Sequence, residues 1–265
     1  MTDYVIRGGE RGYERLQLLA RSRWADTAAL FERAGIGPGM RCLDLGCGGG
    51  AVTLEIAKLI APHGSIVGVD MDEVKLALAR RASETQGLDN VEFRAQDVGE
   101  WNEPGAYDFV YSRFLLQHLR DPGDLLRRMW AAVGDGGVLA VEDADFDGWA
   151  CHPPNEGFEF FLRIWAQVLQ RRGGDHAFGR KLYGHFRALG IPDPHVTLAC
   201  PVNVTGENKT LAWSTLEAAT EAITDEGIAT DEELAAALAD LARFTEDPST
   251  LTCGPRVFQV WSRRS

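Results

Sequence analysis

The chain has 265 residues, of which 45% are hydrophobic and 25% charged, and this is ordinary usage for a globular protein that buries a substantial core. Its 39 acidic residues outnumber 27 basic ones and give a net charge of -12, which argues against nucleic acid or an anionic membrane as a partner. No apolar signal region or membrane-length apolar run is present, so we expect a cytoplasmic protein that acts on a small molecule, neutral or cationic in charge.

The first 35 residues form a segment of their own, which is predicted as an N-terminal lid and helix. An aromatic residue and three arginines surround three glycines between Tyr4 and Leu16. An amphipathic helix follows, with apolar residues such as Trp24 and Phe31 placed to cover a sheet. Read without further context, the segment is simply a surface stretch that leads into a helix.

A short apolar strand at 40–45 then runs into a glycine-rich turn, and Asp44 stands two residues before its first glycine, Gly46. The turn matches the loose dinucleotide pattern G-x-G-x-x-G/A, and such turns bring backbone N–H groups close to a nucleotide. A dinucleotide would place its pyrophosphate near Asp44, and the two like charges would repel each other. S-adenosyl-L-methionine presents a sulfonium and an ammonium group instead, so Asp44 favours that ligand.

Two more aspartates end the next two predicted strands. The strand at 65–70 ends in Asp70, about twenty residues past the turn, where a carboxylate accepts both ribose hydroxyls of an adenosine. The strand at 91–98 carries Asp97 near its end. Taken singly, either aspartate could be the N-cap of a following helix, but the three acids in this order predict a nucleoside-type methyl donor.

This combination resembles the class I (Rossmann-like) S-adenosyl-L-methionine-dependent methyltransferases, whose motif I is written D-x-G-x-G-x-G. The resemblance covers residues 36–145 with specific motifs and implies S-adenosyl-L-methionine as the cofactor. It implies that Asp97 faces the adenine amino group and that the next backbone N–H, of Val98, meets a ring nitrogen. The family's N-terminal lid commonly reaches the cofactor carboxylate with a Tyr and an Arg. The cofactor residues implied are Tyr4, Arg15, Asp44, Gly46, Gly48, Asp70, Met71, Asp97, Val98 and Ser112, with Arg7 or Arg11 as substitutes for Arg15.

Strands alternate with helical patterns along the chain, which is typical of an α/β fold. We predict a seven-stranded doubly wound Rossmann-like sheet with the last strand antiparallel, together with a helical lid and cap. The methyltransferase domain is expected to span 36–265, with helical cap insertions at about 146–190 and 205–250. The later predicted strands are 107–111, 136–142, 195–204 and 256–262, and residues 143–154 are predicted as a loop. The predicted helices are 52–60, 72–83, one opening at 121–122, 155–172, 180–189, 209–224 and 231–245.

Three side chains are candidates for catalysis. Methyl transfer needs orientation, and a base only where the nucleophile must lose a proton. His118 follows the fourth strand, whose end borders the transferred methyl group in this fold, although a structural histidine is an equal alternative. Asp145, or its neighbour Asp143, follows the fifth strand and could orient a histidine or bind a substrate N–H. Tyr13 could polarise the substrate from the lid.

Aromatic residues fall in the predicted cap and favour a flat ring as substrate, although each could equally be ordinary packing. They are Trp149, Phe158, Phe161, Trp165 and Trp213. The resemblance to a small-molecule, natural-product branch, with relatives that methylate the indole rings of cyclic dipeptides, implies C-methylation of an indole-like or polycyclic substrate. O- or N-methylation of another small aromatic metabolite and a non-catalytic S-adenosyl-L-methionine-binding protein are the alternatives.

An NAD-dependent oxidoreductase is disfavoured by Asp44 and by the lack of a Tyr-x-x-x-Lys set. The five cysteines are scattered, with no C-x-x-C and no histidine at ligand spacing, so no metal site is expected. A monomer or homodimer is expected.

Overall fold

A central seven-stranded sheet organises the protein, whose computed structural model describes residues 9–265, with side chains from residue 12 onward. The strand order is β3-β2-β1-β4-β5-β10-β7. Neighbours among β1 to β5 are parallel, whereas β10 is antiparallel to both β5 and β7. The predicted fold class is confirmed. The bounds are β1 Arg41–Leu45, β2 Ser65–Asp70, β3 Val91–Ala95, β4 Tyr107–Arg113, β5 Val133–Asp145, β6 Ala150–His152, β7 His195–Ala199, β8 Val202–Asn203, β9 Leu251–Cys253 and β10 Arg256–Arg263.

Helices flank this sheet and also cover its carboxyl edge. Several begin where the sequence places a capping side chain: Asp72 accepts hydrogen bonds from the Val74 and Lys75 amides at 3.1 Å, and Asn155 accepts one from Phe158 at 2.8 Å. The bounds are α1 Gly9–Ala34, α2 Ala51–Leu59, α3 Glu73–Thr85, α4 Pro122–Ala132, α5 Glu156–Arg171, α6 Leu182–Ala188, α7 Leu211–Asp225 and α8 Asp231–Glu246. Short 3₁₀ turns occupy Leu116–His118, Phe146–Gly148, Phe178–Lys181 and Glu207–Thr210.

The cap helices α5, α7 and α8 share a hydrophobic core of their own. Phe158, Phe161 and Leu216 are buried in it, and Phe146 and Trp149 join it from the end of β5. The other buried clusters lie on the two faces of the sheet. Within the described part of the chain, no helix has both the length and the apolar composition that crossing a bilayer needs. The division at residue 36 stays a prediction.

Two predicted elements differ from the structure. Residues 143–154 contain regular secondary structure and are not simply a loop. Strand β5 continues to Asp145 along β10, and β6 then joins a small sheet of order β6-β9-β8. The single strand predicted at 195–204 is two strands in different sheets, since β7 ends at Ala199 and β8 begins at Val202. Pro201 lies between them, and proline has no N–H to donate to a ladder.

Candidate cofactor and substrate site

One cavity of about 270 Å³ lies at the carboxyl edge of the parallel strands, under α1 and α7. Ligands of open α/β sheets bind at this edge. Its wall has two parts of different chemistry. The part we name the acidic half consists of Asp44, Gly46, Gly48, Gly49, Asp70 and Asp97. The part we name the aromatic half consists of Arg23, Arg113, Phe114, Phe146, Trp149 and Trp165.

The glycine turn after β1 adopts a backbone conformation that is unfavourable for residues with a side chain. Gly46, Gly48 and Gly50 have φ angles of 73°, 54° and 72°, in the left-handed region that glycine adopts without strain. The Gly46 amide donates to the Val69 carbonyl at 2.8 Å, which fixes the turn against the end of β2. The turn thus places bare backbone on the cavity wall, where a ligand can approach closely.

Asp70 ends β2 and binds the turn through its carboxylate. Oδ2 accepts from the Gly48 amide at 2.8 Å, and Oδ1 accepts from the Asp72 amide at 3.0 Å. A carboxylate oxygen has two lone-pair sites, so each oxygen retains one for a ribose hydroxyl. The structure therefore places Asp70 in the cavity with the acceptor capacity that the sequence predicts.

Asp44 is a buried carboxylate, 3% exposed, on the cavity wall. Burial raises its pKa to about 6, against the hydrogen bond from Thr53 Oγ1 at 2.7 Å and the charge of Arg113, which lower it. No lysine or arginine among the described residues forms a salt bridge with it. Because a buried anion gains most from an added positive charge, this site fits a cationic ligand group.

The remaining cofactor candidates differ in position. Asp97 and Val98 line the cavity after β3, and Asp97 Oδ1 accepts from the Gly99 amide at 2.7 Å. Met71 lines it as well and is 53% exposed, so that an apolar side chain stands beside the acidic half. Ser112 is fully buried between β1 and β5, outside the cavity lining. Its predicted part in cofactor binding stays a prediction.

Helix α1 lies across the glycine turn. A Cβ added at Gly49 would lie 2.6 Å from Cδ2 of Tyr13, and one at Gly48 would lie 2.9 Å from Cδ1 of Leu16. Arg15 lines the cavity and donates from Nη2 to Oγ1 of Thr215 in α7 at 3.0 Å. The structure thus brings Arg15 into the cavity lining, whereas Tyr13 packs against the glycine turn and does not line the cavity. Tyr4 and Arg7 lie outside the described residues, as does the side chain of Arg11.

His118 lines the cavity beside Trp165, with the two ring centroids 6.4 Å apart. Burial lowers its pKa to about 4, and the positive charges of Arg15, Arg172 and Lys75 lower it further. The imidazole is therefore neutral at pH 7 and can accept a hydrogen bond, although it is a weak base. The Tyr13 phenol stays protonated at pH 7 and cannot serve as a base there, since burial raises its pKa above the ordinary value.

Asp145 does not line the cavity, which contradicts its predicted catalytic contact. Its carboxylate is 1% exposed and binds Arg256 at 2.8 Å and Arg180 Nε at 2.9 Å. The alternative, Asp143, is also buried outside the lining, and burial raises the pKa of its carboxyl to about 7. Asp143 accepts from the Gln117 amide at 3.1 Å, so it positions the turn that carries His118.

Two arginines of the aromatic half are not predicted from the sequence. Arg23 is 3% exposed and Arg113 is partly buried. Neither stood out, because an arginine in an amphipathic helix or after a strand is usually solvated. Of the predicted aromatic residues, Trp149 and Trp165 line the cavity, whereas Phe158, Phe161 and Trp213 do not and pack in or against the cap core.

A family model described as a methyltransferase domain matches residues 36–170. The chain belongs to this methyltransferase family. The ubiquinone biosynthesis O-methyltransferase of Acinetobacter baumannii is 33% identical over 119 residues, 44% of this chain and 47% of that protein. The trans-aconitate 2-methyltransferase of Deinococcus radiodurans is 37% identical over 105 residues, 40% of this chain and 38% of that protein. The chain thus spans about half the length of these relatives or less.

The fold is shared with solved methyltransferases of low sequence identity. Phosphoethanolamine N-methyltransferase 2 of Haemonchus contortus, solved in complex with S-adenosyl-L-methionine, matches with a TM-score of 0.58 at 19% identity. The match covers 91% of this chain and 53% of that chain. The predicted family and Rossmann-like fold are confirmed, and the narrower assignment to a natural-product branch stays a prediction.

Proposed function

We propose that the protein is an enzyme that transfers a methyl group from S-adenosyl-L-methionine to a small aromatic acceptor. The observation that carries this proposal is one continuous cavity whose lining contains both Asp44, Asp70 and Asp97 and a group of aromatic side chains. The family to which residues 36–170 belong supports the reaction class. When bound, S-adenosyl-L-methionine supplies an activated methyl group on a sulfonium.

The acidic half would hold this cofactor through complementary chemistry. Asp70 offers two free acceptor sites to ribose hydroxyls, and Asp97 with the Val98 amide offers an acceptor and a donor to adenine. Asp44 attracts positive charge from below the glycine turn. Arg15, which also lines the cavity, would supply the positive charge that the cofactor carboxylate needs.

The acceptor would lie in the aromatic half. Phe146 and Trp165 have ring centroids 5.7 Å apart, and Phe146 and Trp149 lie 5.6 Å apart, so three rings form a rigid apolar wall. Aromatic walls with a few polar groups favour flat ring ligands. The chain's own residues would orient such a ring and exclude water, which lowers the barrier of an in-line transfer.

We further propose an electron-rich aromatic carbon, such as that of an indole-like ring, as the methylated atom. The pKa of His118 is about 4, and the raised pKa of Tyr13 keeps its phenol protonated, so neither side chain readily takes up a proton at pH 7. An electron-rich carbon needs little activation beyond sharing of a ring N–H proton, which neutral His118 can accept through a hydrogen bond. Methylation at oxygen or nitrogen would require an acceptor atom that is already unprotonated, or one acidic enough to lose its proton without a strong base.

A methyl-transfer assay tests this proposal. S-adenosyl-L-methionine with a labelled methyl group is incubated with the protein and a panel of indoles, phenols and aromatic amines, and the Asp70→Asn variant is the control. We expect label in an indole-type product, with the methyl carbon bonded to a ring carbon by NMR. Label on oxygen or nitrogen would overturn the site of methylation. Stoichiometric cofactor binding with no label transferred would indicate a binding protein instead.

Natural-product metabolism, a cytoplasmic location, a monomeric or homodimeric state and the lack of a nucleic-acid partner stay predictions from the sequence.

A further inference from the structure

Arg23 is a buried cation in the wall of the aromatic half. Arg23 is 3% exposed, and its Nε and Nη1 atoms have no hydrogen-bond partner among the described residues. It forms no salt bridge within the described part of the chain either. Nη2 lies near Gly254, where an added Cβ would be 2.4 Å away, and the following Pro255 also lines the cavity. An unpartnered guanidinium thus stands at a cavity wall.

The charged groups around Arg23 influence its pKa, but no carboxylate among the described residues forms a salt bridge with it. Burial is the largest influence and lowers its pKa, as does neighbouring Arg113, whereas Asp26, Glu142 and the thiol of Cys200 raise it. Glu142 already accepts hydrogen bonds from Thr27 Oγ1 and Gln259 Nε2, both at 2.8 Å, and from the Tyr111 hydroxyl. Both carboxylates lie beyond salt-bridge distance of Arg23. Burying a charge without a close partner is costly, so this arrangement favours an anion in the cavity.

Other groups of the aromatic half are donors as well. Arg113 donates from Nη1 to Thr27 Oγ1 at 3.2 Å and lies 5.5 Å from the centroid of the Phe114 ring, without a salt bridge among the described residues. The indole nitrogens of Trp149 and Trp165 are buried, and neither has a hydrogen-bond partner in the described structure. Every aspartate that lines the cavity lies at the ends of β1 to β3, toward the acidic half. The lining aspartates thus lie beside β1 to β3, while Arg23 and Arg113 are the buried or partly buried cations of the aromatic half.

We propose that the acceptor substrate carries an anionic oxygen, a carboxylate or an ionised phenol, and that Arg23 binds it while the ring lies on Phe146, Trp149 and Trp165. This inference rests on the proposed function, since it names the class of acceptor for the same cavity. It also reverses the expectation of a neutral or cationic substrate that the net charge of -12 suggests, because the local charges in the aromatic half are positive.

S-adenosyl-L-methionine also carries a carboxylate, so the anion that binds Arg23 could come either from the substrate or from the cofactor. The two sources are separated by the affinity for S-adenosyl-L-homocysteine, which has the same carboxylate. If Arg23 binds the substrate, Arg23→Gln leaves this affinity within about twofold of wild type. A loss of about tenfold, the size expected when a charged hydrogen-bonding partner is removed, would overturn the assignment in favour of the cofactor.

The binding experiment uses matched probes: indole-3-acetate and 1-naphthoate, each compared with its primary amide. Calorimetry is performed on the protein saturated with S-adenosyl-L-homocysteine. We expect wild type to bind each carboxylate about tenfold or more tightly than its amide, and Arg23→Gln to remove this preference with little change for the amides. Arg21→Gln is the control, because Arg21 is an exposed residue of the same helix that pairs with Glu207 at 3.0 Å.

Three outcomes would overturn the inference: equal affinity of wild type for carboxylate and amide, an equal loss for both probes in Arg23→Gln, or the same loss in Arg21→Gln. Failure of the proposed function has a different signature. If wild type does not bind S-adenosyl-L-homocysteine, the cofactor assignment fails, while the carboxylate and amide comparison in the cofactor-free protein still decides the role of Arg23.

Discussion

The amide of Gly48 donates a hydrogen bond to Oδ2 of Asp70 at 2.8 Å, so the end of β2 holds the glycine turn that follows β1. The same carboxylate accepts from the Asp72 amide at 3.0 Å, just before α3. Asp70 therefore braces two backbone segments and still presents acceptor sites to the cavity. A change at this position should affect both cofactor binding and the order of the turn.

Asp70→Asn should weaken binding of S-adenosyl-L-homocysteine by about 1.5–3 kcal/mol, the range for hydrogen bonds to a charged group. Asparagine retains one acceptor oxygen but replaces the other with an NH₂ group, which repels the donor at that site. Calorimetry measures the affinity, and circular dichroism checks that the variant folds. Asp89→Asn, at an exposed loop position, is the matched control and should bind like wild type. Unchanged affinity in folded Asp70→Asn would mean that the ribose lies elsewhere.

Selectivity between cofactors tests the role of Asp44. We expect S-adenosyl-L-homocysteine to bind at micromolar affinity and NAD not to bind measurably, because the buried Asp44 carboxylate favours positive charge and repels a pyrophosphate. Calorimetry with both ligands under the same buffer and salt conditions makes the comparison. Comparable binding of NAD would contradict the assignment of the acidic half to S-adenosyl-L-methionine.

The sequence predicts the acidic half well because its signals are local. Asp44, Asp70 and Asp97 each lie at or just past the carboxyl end of a strand, and parallel strands end at one edge of the sheet, so order along the chain fixes their proximity. The aromatic half depends on contacts between distant segments. Asp145 pairs with Arg180 and Arg256 and does not line the cavity. Arg23 lines it because α1 crosses the edge of the sheet. No periodicity or spacing encodes such pairings.

Gly49→Ala tests the contact between α1 and the glycine turn. The new Cβ would lie 2.6 Å from Cδ2 of Tyr13, so the ring or the helix must move. We expect a loss of stability of about 1–3 kcal/mol, typical of overpacking, and weaker binding of S-adenosyl-L-homocysteine. Thermal melting and calorimetry measure the two effects.

The control for this experiment is Gly184→Ala. Gly184 lies in α6, and an added Cβ there meets no atom within 4 Å. Alanine should leave the melting temperature unchanged or raise it slightly, because glycine is the poorer helix former by about 0.5–1 kcal/mol. If both variants melt alike, the turn is not packed under Tyr13 as the structure shows.

Arg23→Met should raise the melting temperature of the ligand-free protein by about 2–4 °C, provided that removal of the buried charge gains about 1 kcal/mol. Methionine keeps an unbranched apolar side chain of similar length while removing a guanidinium that has no salt bridge among the described residues. Differential scanning calorimetry measures the shift. A fall in melting temperature instead would show that Arg23 stabilises the fold, and Arg21→Met on the exposed face of α1 should change little.

We expect His118 to make the stability of the protein depend on pH. Its folded-state pKa of about 4 lies below the ordinary 6.5, so the unfolded chain binds the proton more readily between these values. The stability that depends on neutral His118 is therefore complete above pH 6.5 and is lost as the pH falls toward 4. Wild type should lose melting temperature over this window more steeply than His118→Asn.

His63→Asn is the control for this comparison, because His63 is exposed and its positive φ of 73° is one that asparagine tolerates. It should follow the wild-type pH profile. Turnover at pH 7 with saturating cofactor should fall about 10²-fold in His118→Asn, at the lower end of general-base effects because the imidazole is a weak base. A variant with the wild-type pH slope and normal turnover would remove His118 from both roles.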